Sequence, residues 1–203
     1  MLTLLLATTN PGKLREFREI FAELPVRLTT LDEQGIDLDV EETGATFAEN
    51  ALLKARAYTH ASGLLTLADD SGLEIDALGG EPGVRSARWP TPDTPYPERF
   101  KLIFERLAHL PPEQRAARFR CVIALASPDG WHEMVEGTVE GIIADAPRGE
   151  NGFGYDPIFY VPALGSTTAE LSPEEKHRIS HRGRAARAAR DVLLRLNAGS
   201  AHR

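Results

Sequence analysis

The chain has 203 residues, enough to bury a core in one large domain or two packed lobes, and its 42% hydrophobic and 26% charged residues exclude a disordered or fibrous protein. A formal net charge of −7 excludes a nucleic-acid binder that relies on bulk attraction, so a phosphate-rich ligand would need local cations or a metal. A single cysteine excludes an intrachain disulfide and a cysteine metal cluster, and no apolar stretch approaches the ~20 residues of a membrane span.

In chain order, residues 2–8 read as a buried strand that breaks at Asn10-Pro11-Gly12, a strong turn signal. A helix follows from Lys13 to about Ala22, with Leu14, Phe17, Ile20 and Phe21 on one face. Residues 26–31 suit a second strand. Thr46 and Glu49 have capping-box spacing, so a helix is expected from there to about Ala61, ended by Gly63. Residues 64–68 form a short apolar strand that runs into Asp69-Asp70-Ser71-Gly72. Loops are expected at 79–83 and 91–97, and a helix at 98–109.

Residues 119–126 and 133–143 suit an antiparallel pair turned at Pro128-Asp129-Gly130. Cys121 lies in the first of these apolar runs, which predicts a buried, inert thiol. A glycine-rich loop, 147–154, precedes Tyr155-Asp156-Pro157 and the apolar run 158–161. Ser172-Pro173 starts another helix, and Ser180 caps a last one to about Leu196, with fraying from Ala198 onward. This mixture of strands and helices without strict alternation predicts an α/β protein with a mixed sheet, and residues 118–143 are a candidate second lobe. The run 2–7 is too short for a secretory leader, so the expectation is a cytoplasmic protein with no membrane and no nucleic-acid partner.

Four segments carry chemistry. Thr8-Thr9-Asn10-Pro11-Gly12-Lys13 lies between a strand and a helix start, where backbone N–H groups can face an anion and Lys13 adds a charge; it also suits an ordinary turn. It is not the Walker A pattern. Glu41, Glu42, Asp69 and Asp70 form an acidic set. Adjacent carboxylates repel unless a hard cation sits between them, and magnesium is suited to such oxygens, so a metal site and a solvated acidic turn both fit. A carboxylate not filled by metal could orient or deprotonate an attacking water.

In Gly152-Phe153-Gly154-Tyr155-Asp156-Pro157 the glycines let the backbone approach a flat ligand, or the segment is a tight turn over a core Phe153. Lys176 and Ser180-His181-Arg182 place three cationic or donor groups near a helix start, or form its solvated face. The other five histidines lack ligand spacing and read as surface residues.

These segments occur together and in a fixed order, and in that order the chain resembles the inosine triphosphate pyrophosphatase family in its bacterial form. The resemblance rests on residues 6–13, 42–51, 68–73, 78–83, 152–157 and 180–182, spanning about residues 3–196. It implies one pyrophosphatase domain, residues 1–203, with an elongated mixed β-sheet, flanking helices and two lobes around a central cleft. It also implies a homodimer, a magnesium ion, and hydrolysis of noncanonical purine triphosphates (ITP, dITP, XTP) to monophosphate and pyrophosphate.

Carried over by position, Thr8, Thr9, Asn10, Pro11, Gly12 and Lys13 would hold phosphates. Glu42 and Asp70 would hold the metal, with Asp70 also the general base and Asp69 in support. Ser71 and Lys54 would contact phosphate or ribose, and Phe153, Gly154, Tyr155, Asp156, Lys176, His181 and Arg182 would surround the base. Thr9 and Arg85 depart from the usual residues of that pattern, and residues 91–101 match it poorly. A related pyrophosphatase acting on modified pyrimidine or standard triphosphates, and a nucleotide sensor without turnover, are the competing readings.

Overall fold

The computed structural model describes residues 2–200. Its seven-stranded sheet has the order β2-β1-β3-β4-β5-β6-β7. The first strand, β1 (Leu2–Leu6), is parallel to β2 (Val26–Thr30) and to β3 (Leu65–Ile75). At the other edge β6 (Phe159–Val161) is antiparallel to both β5 (His132–Ile143) and β7 (Ser166–Thr167). The sheet is therefore mixed. Strand β4 (Ala116–Ala126) lies between β3 and β5, and residues 127–131 connect it to β5.

The helices are α1 (Pro11–Ile20), α2 (Phe47–Ser62), α3 (Tyr96–Leu107), α4 (Pro173–Ile179) and α5 (His181–Ser200). Their starts follow local chemistry. Asn10 caps α1 through Lys13 N–H, with Pro11 at the first helical position, where a missing donor costs nothing. The expected capping box of α2 is present, with Thr46 and Glu49 satisfying each other's backbone, and Gly63 ends the helix at φ 67°. Ser172 and Glu175 form a second box on α4. Helix α5 continues to Ser200, past the expected end near Leu196; residues 201–203, expected to fray, lie outside the described residues. No helix among the described residues is long and apolar enough to cross a membrane.

The chain divides into two compact units. One comprises Met1–Asp70, Cys121–Gly137 and Arg182–Arg203. Its core joins Leu4 and Leu6 of β1 to Phe17 of α1, Leu67 of β3, Ile123 of β4 and Val192 of α5, with Phe17 and Phe21 stacked at 5.8 Å. Cys121 is fully buried here, and burial pushes its thiol well above the ordinary range. Native protein treated with iodoacetamide is therefore expected to stay unlabelled until denaturant is added, because the thiolate is the reacting species. Stoichiometric labelling of the folded protein would contradict this placement.

The second unit comprises Ser71–Arg120 and Thr138–His181. Its core gathers Leu73 and Ile75 of β3, Phe100 and Ile103 of α3, Phe119 of β4 and Phe159 of β6. Tyr155 belongs to this core as well, edge-on to Tyr96 at 5.2 Å.

Two expectations about the fold are corrected. Residues 118–143 form no lobe of their own, since Cys121–Gly137 belong to the first unit and the flanking residues to the second. The strand expected to stop at Ala68 runs on to Ile75, so Asp69-Asp70-Ser71-Gly72 is strand interior rather than an acidic turn. Gly72 is there for space: a Cβ on it would stand 2.4 Å from both Gly83 O and Ser86 Oγ.

Candidate active site

Successive residues of a strand face opposite sides of the sheet, so the Asp69 and Asp70 side chains point apart, although Lys13 and Lys54 act electrostatically on both. Their nearest contacts differ, and those named here lie within the first unit. Asp69 Oδ2 is 2.9 Å from Lys13 Nζ and 3.6 Å from Arg182 Nη2, and its side chain is 0% exposed. Burial opposes its ionisation, but Lys13, Arg182 and Lys54 more than offset this and hold the carboxyl well below the usual range. Asp69 is thus a fixed anion and a poor proton acceptor.

Asp70 is placed differently. Its Oδ2 accepts from Asn50 Nδ2 at 3.1 Å, and its Oδ1 lies 3.8 Å from Lys54 Nζ. Burial raises its pKa; Lys54 and Lys13 pull it back, Glu42 adds like-charge repulsion, and the net shift is upward. A carboxylate of raised basicity with a 7% exposed side chain is suited to taking a proton from water.

Lys54, on α2, binds this group together. Its ammonium donates to Glu42 Oε1 at 2.5 Å and to Asp69 O at 2.7 Å. Burial works against its charge, and Asp69, Asp70 and Glu42 overcome that and raise its pKa. Glu16, Glu42, Asp69 and Asp70 face Lys13, Lys54 and Arg182, so these described side chains set four carboxylates against three cations. Together they carry one more negative charge than positive.

The loop before α1 supplies the neighbouring polar groups. Asn10 N–H donates to Thr8 Oγ1 at 3.2 Å, and Asn10 Oδ1 accepts from Lys13 N at 3.1 Å. Gly12 is buried, Thr9 and Pro11 are exposed, and the first turn of α1 carries no acidic residue. That end of the helix keeps its positive character for an anion.

The other expected site residues lie in the second unit. Asp156 is locked by three donors: Lys176 Nζ at 2.5 Å, Phe153 N at 2.8 Å and Thr168 Oγ1 at 2.8 Å. Both Asp156 and Lys176 are buried, and the ammonium stands 5.0 Å from the centre of the Phe153 ring. Gly152 has φ 74°, and a Cβ on it would stand 2.1 Å from Asp156 Oδ2, so the turn admits only glycine. Tyr155 donates to Ser86 O at 3.0 Å, and burial pushes its hydroxyl up to about 12; the ring fills the core. His181 is buried and stacks on Phe119 at 4.7 Å. Ser71 is half-buried on β3 and Gly154 half-buried at φ 67°.

The structure therefore brings Lys13, Glu42, Lys54 and Asp70 into one group, and Phe153, Asp156 and Lys176 into another. Arg182, the residue after His181, belongs to the first unit, with its Nη1 2.6 Å from Glu16 Oε2. Sequence reading missed Glu16 and Asn50. Glu16 sits between apolar positions of α1 with no local sign of its partner 166 residues away. Asn50 directly follows the capping glutamate, the one hint that it faces inward. Of the other histidines, His60, His109 and His132 are exposed as expected, His177 is half-buried, and His202 lies outside the described residues. Arg85, one of the departures, is exposed.

Fold and side chains together define a mixed-sheet α/β protein with a carboxylate–ammonium cluster beside a helix N-terminus. The profile of the Ham1 family matches residues 4–192, and the chain belongs to that family. It is 57% identical over 183 residues to a dITP/XTP pyrophosphatase of Thermus thermophilus, covering 90% of this chain and 87% of that protein. A dITP/XTP pyrophosphatase of Geobacillus kaustophilus is 50% identical over 185 residues, 91% of each chain. The solved structure of a HAM1 protein from Coxiella burnetii superposes with a TM-score of 0.87 at 45% identity, covering 96% of this chain and all of that one.

Proposed function

We propose that this chain is a nucleoside triphosphate pyrophosphatase that hydrolyses noncanonical purine triphosphates (dITP, XTP and ITP) to monophosphate and pyrophosphate. The carrying observation is Asp70: a buried carboxylate of raised basicity, aimed by Asn50 and set against Lys54 and Glu42. The printed names of the Thermus and Geobacillus relatives supply the substrate class.

In this reading Lys13 and the N-terminal turn of α1 hold the phosphate chain. Asp70 takes a proton from water as the water oxygen bonds to the α-phosphorus. The bond from that phosphorus to the bridging oxygen breaks, and pyrophosphate leaves with the bonding pair. Asp69, held ionised, keeps Lys13 in place and takes no part in proton transfer.

The donor set fits magnesium. Among the described residues no group of three or more His, Cys, Asp or Glu side chains is arranged to hold a metal. Magnesium needs only one or two carboxylates when waters and substrate phosphates complete its shell, and it prefers oxygen. Glu42 and Asp70 provide two such oxygens, and Lys54's ammonium already marks a cation position against both. When bound, the ion would neutralise charge on the phosphate oxygens.

For the base, Lys176 beside Phe153 offers a fixed donor next to an aromatic face. A donor favours the 6-oxo edge of hypoxanthine and xanthine over the 6-amino edge of adenine, whose own donors would face it unpaired. The test is a triphosphate panel with magnesium, measuring pyrophosphate and orthophosphate separately. Inosine and xanthosine triphosphates are expected to turn over fastest and release pyrophosphate. Faster turnover of uridine or thymidine triphosphate, or orthophosphate as first product, would overturn the reading.

A further inference from the structure

Asn50 is fully buried and uses both ends of its amide. Its Oδ1 accepts from Gly44 N at 2.7 Å, and its Nδ2 donates to Asp70 Oδ2 at 3.1 Å. The adjacent Glu49 accepts from Ala45 N at 2.7 Å and Thr46 N at 3.2 Å. Two consecutive side chains at the start of α2 thus take three consecutive N–H groups of the incoming segment, two residues after Glu42. The approach is close. A Cβ on Gly44 would stand 2.7 Å from Asn50 Oδ1 and 2.7 Å from Glu49 Cβ, so only glycine fits.

We infer that Asn50 is a positioning residue that sets the Glu42 segment and Asp70 in register with each other, and so shapes the place where a divalent cation and the attacking water are held. This deepens the function proposed above and rests on it. The side chain required is an amide. An acceptor must meet Gly44 N–H and a donor must meet the carboxylate from one short stem, which Asn alone provides at this length. Aspartate keeps the acceptor and loses the donor. Leucine keeps the shape and leaves both groups unmet. Outer partners that orient metal-holding carboxylates have effects of this kind on affinity and rate.

The experiment uses Asn50→Ala and Asn50→Asp in the full chain. Binding of Mn2+ is followed by electron paramagnetic resonance without nucleotide, together with kcat and KM for inosine triphosphate and thermal melting. Asn50→Ala is expected to weaken Mn2+ binding and lower kcat by about 10- to 100-fold each, with KM for the nucleotide within about threefold of wild type. Asn50→Asp, which preserves the Gly44 bond, is expected to lose kcat as Asn50→Ala does; a role limited to holding Gly44 would leave it active. Wild-type Mn2+ affinity and kcat in Asn50→Ala, or full activity in Asn50→Asp, would overturn the inference. Should either variant fail to fold, the other carries the same test through its kcat. A wild type that neither binds Mn2+ nor hydrolyses triphosphates would overturn the functional reading instead.

Discussion

Asp70→Asn is expected to lower kcat for inosine triphosphate by about 10²- to 10⁴-fold, the range for losing a positioned general base, while the protein stays folded. The two parts have separate causes. Asparagine has the shape of aspartate and can still accept from Asn50 Nδ2, so packing around β3 is preserved. It cannot take a proton from water. Stability is expected to hold or rise, because burial and Glu42 both disfavour the Asp70 charge and the substitution removes that cost. The measurements are pyrophosphate release under saturating substrate and a thermal melt on the same preparation. A variant with wild-type kcat would move the proton acceptor to another group. A melt lowered by many degrees would mean that Asp70 holds the fold rather than the reaction.

The contrast between Asp69 and Asp70 also measures how far the sequence could be read. Local chemistry placed the parts with local causes: the Thr46–Glu49 box of α2, the Ser172-Pro173 start of α4 and the turn near Gly130, whereas α1, read as starting at Lys13, starts at Pro11 under an Asn10 cap. It failed where the cause lies far along the chain. Asp-Asp-Ser-Gly has turn composition, and nothing near it reveals that Lys13, Lys54 and Arg182 arrive to compensate two carboxylates inside a strand. Once compensated, that strand continues to Ile75.

Site residues follow the same division. The family resemblance, carried by the order of the segments, named Lys13, Glu42 and Asp70, whereas residue chemistry alone left the acidic set open between a metal site and a solvated turn. The different contacts of His181 and Arg182 were not legible. They are neighbours in sequence, but the helix start turns one onto Phe119 and the other toward Glu16. Tyr155 was equally opaque: an aromatic beside glycines suits a ligand face and a core position alike, and Tyr96, Phe100 and Ser86 decide it for the core.

The placement of Arg182 leads to the second large effect. Glu16→Ala is expected to destabilise the fold by about 3–5 kcal/mol, because it removes the nearest carboxylate from a buried guanidinium. Arg182 is 2% exposed and Glu16 is nearly as buried, with 2.6 Å between Nη1 and Oε2. Water cannot replace the lost carboxylate there, and Asp69 at 3.6 Å already carries Lys13. For a chain of this size the loss corresponds to a fall of roughly 6–20 °C in Tm. Replacing both partners with apolar residues, as in Glu16→Leu with Arg182→Met, is expected to recover much of it, since neither charge then has to be desolvated. A double variant less stable than Glu16→Ala would show that the ion pair contributes through its own attraction. A Glu16→Ala variant that melts with the wild type would mean that Arg182 finds full compensation at Asp69. Asp69 Oδ2, which already faces both cations, would then lean further toward Arg182, and the hold on Lys13 beside the N-terminus of α1 would loosen without any change in the helix itself.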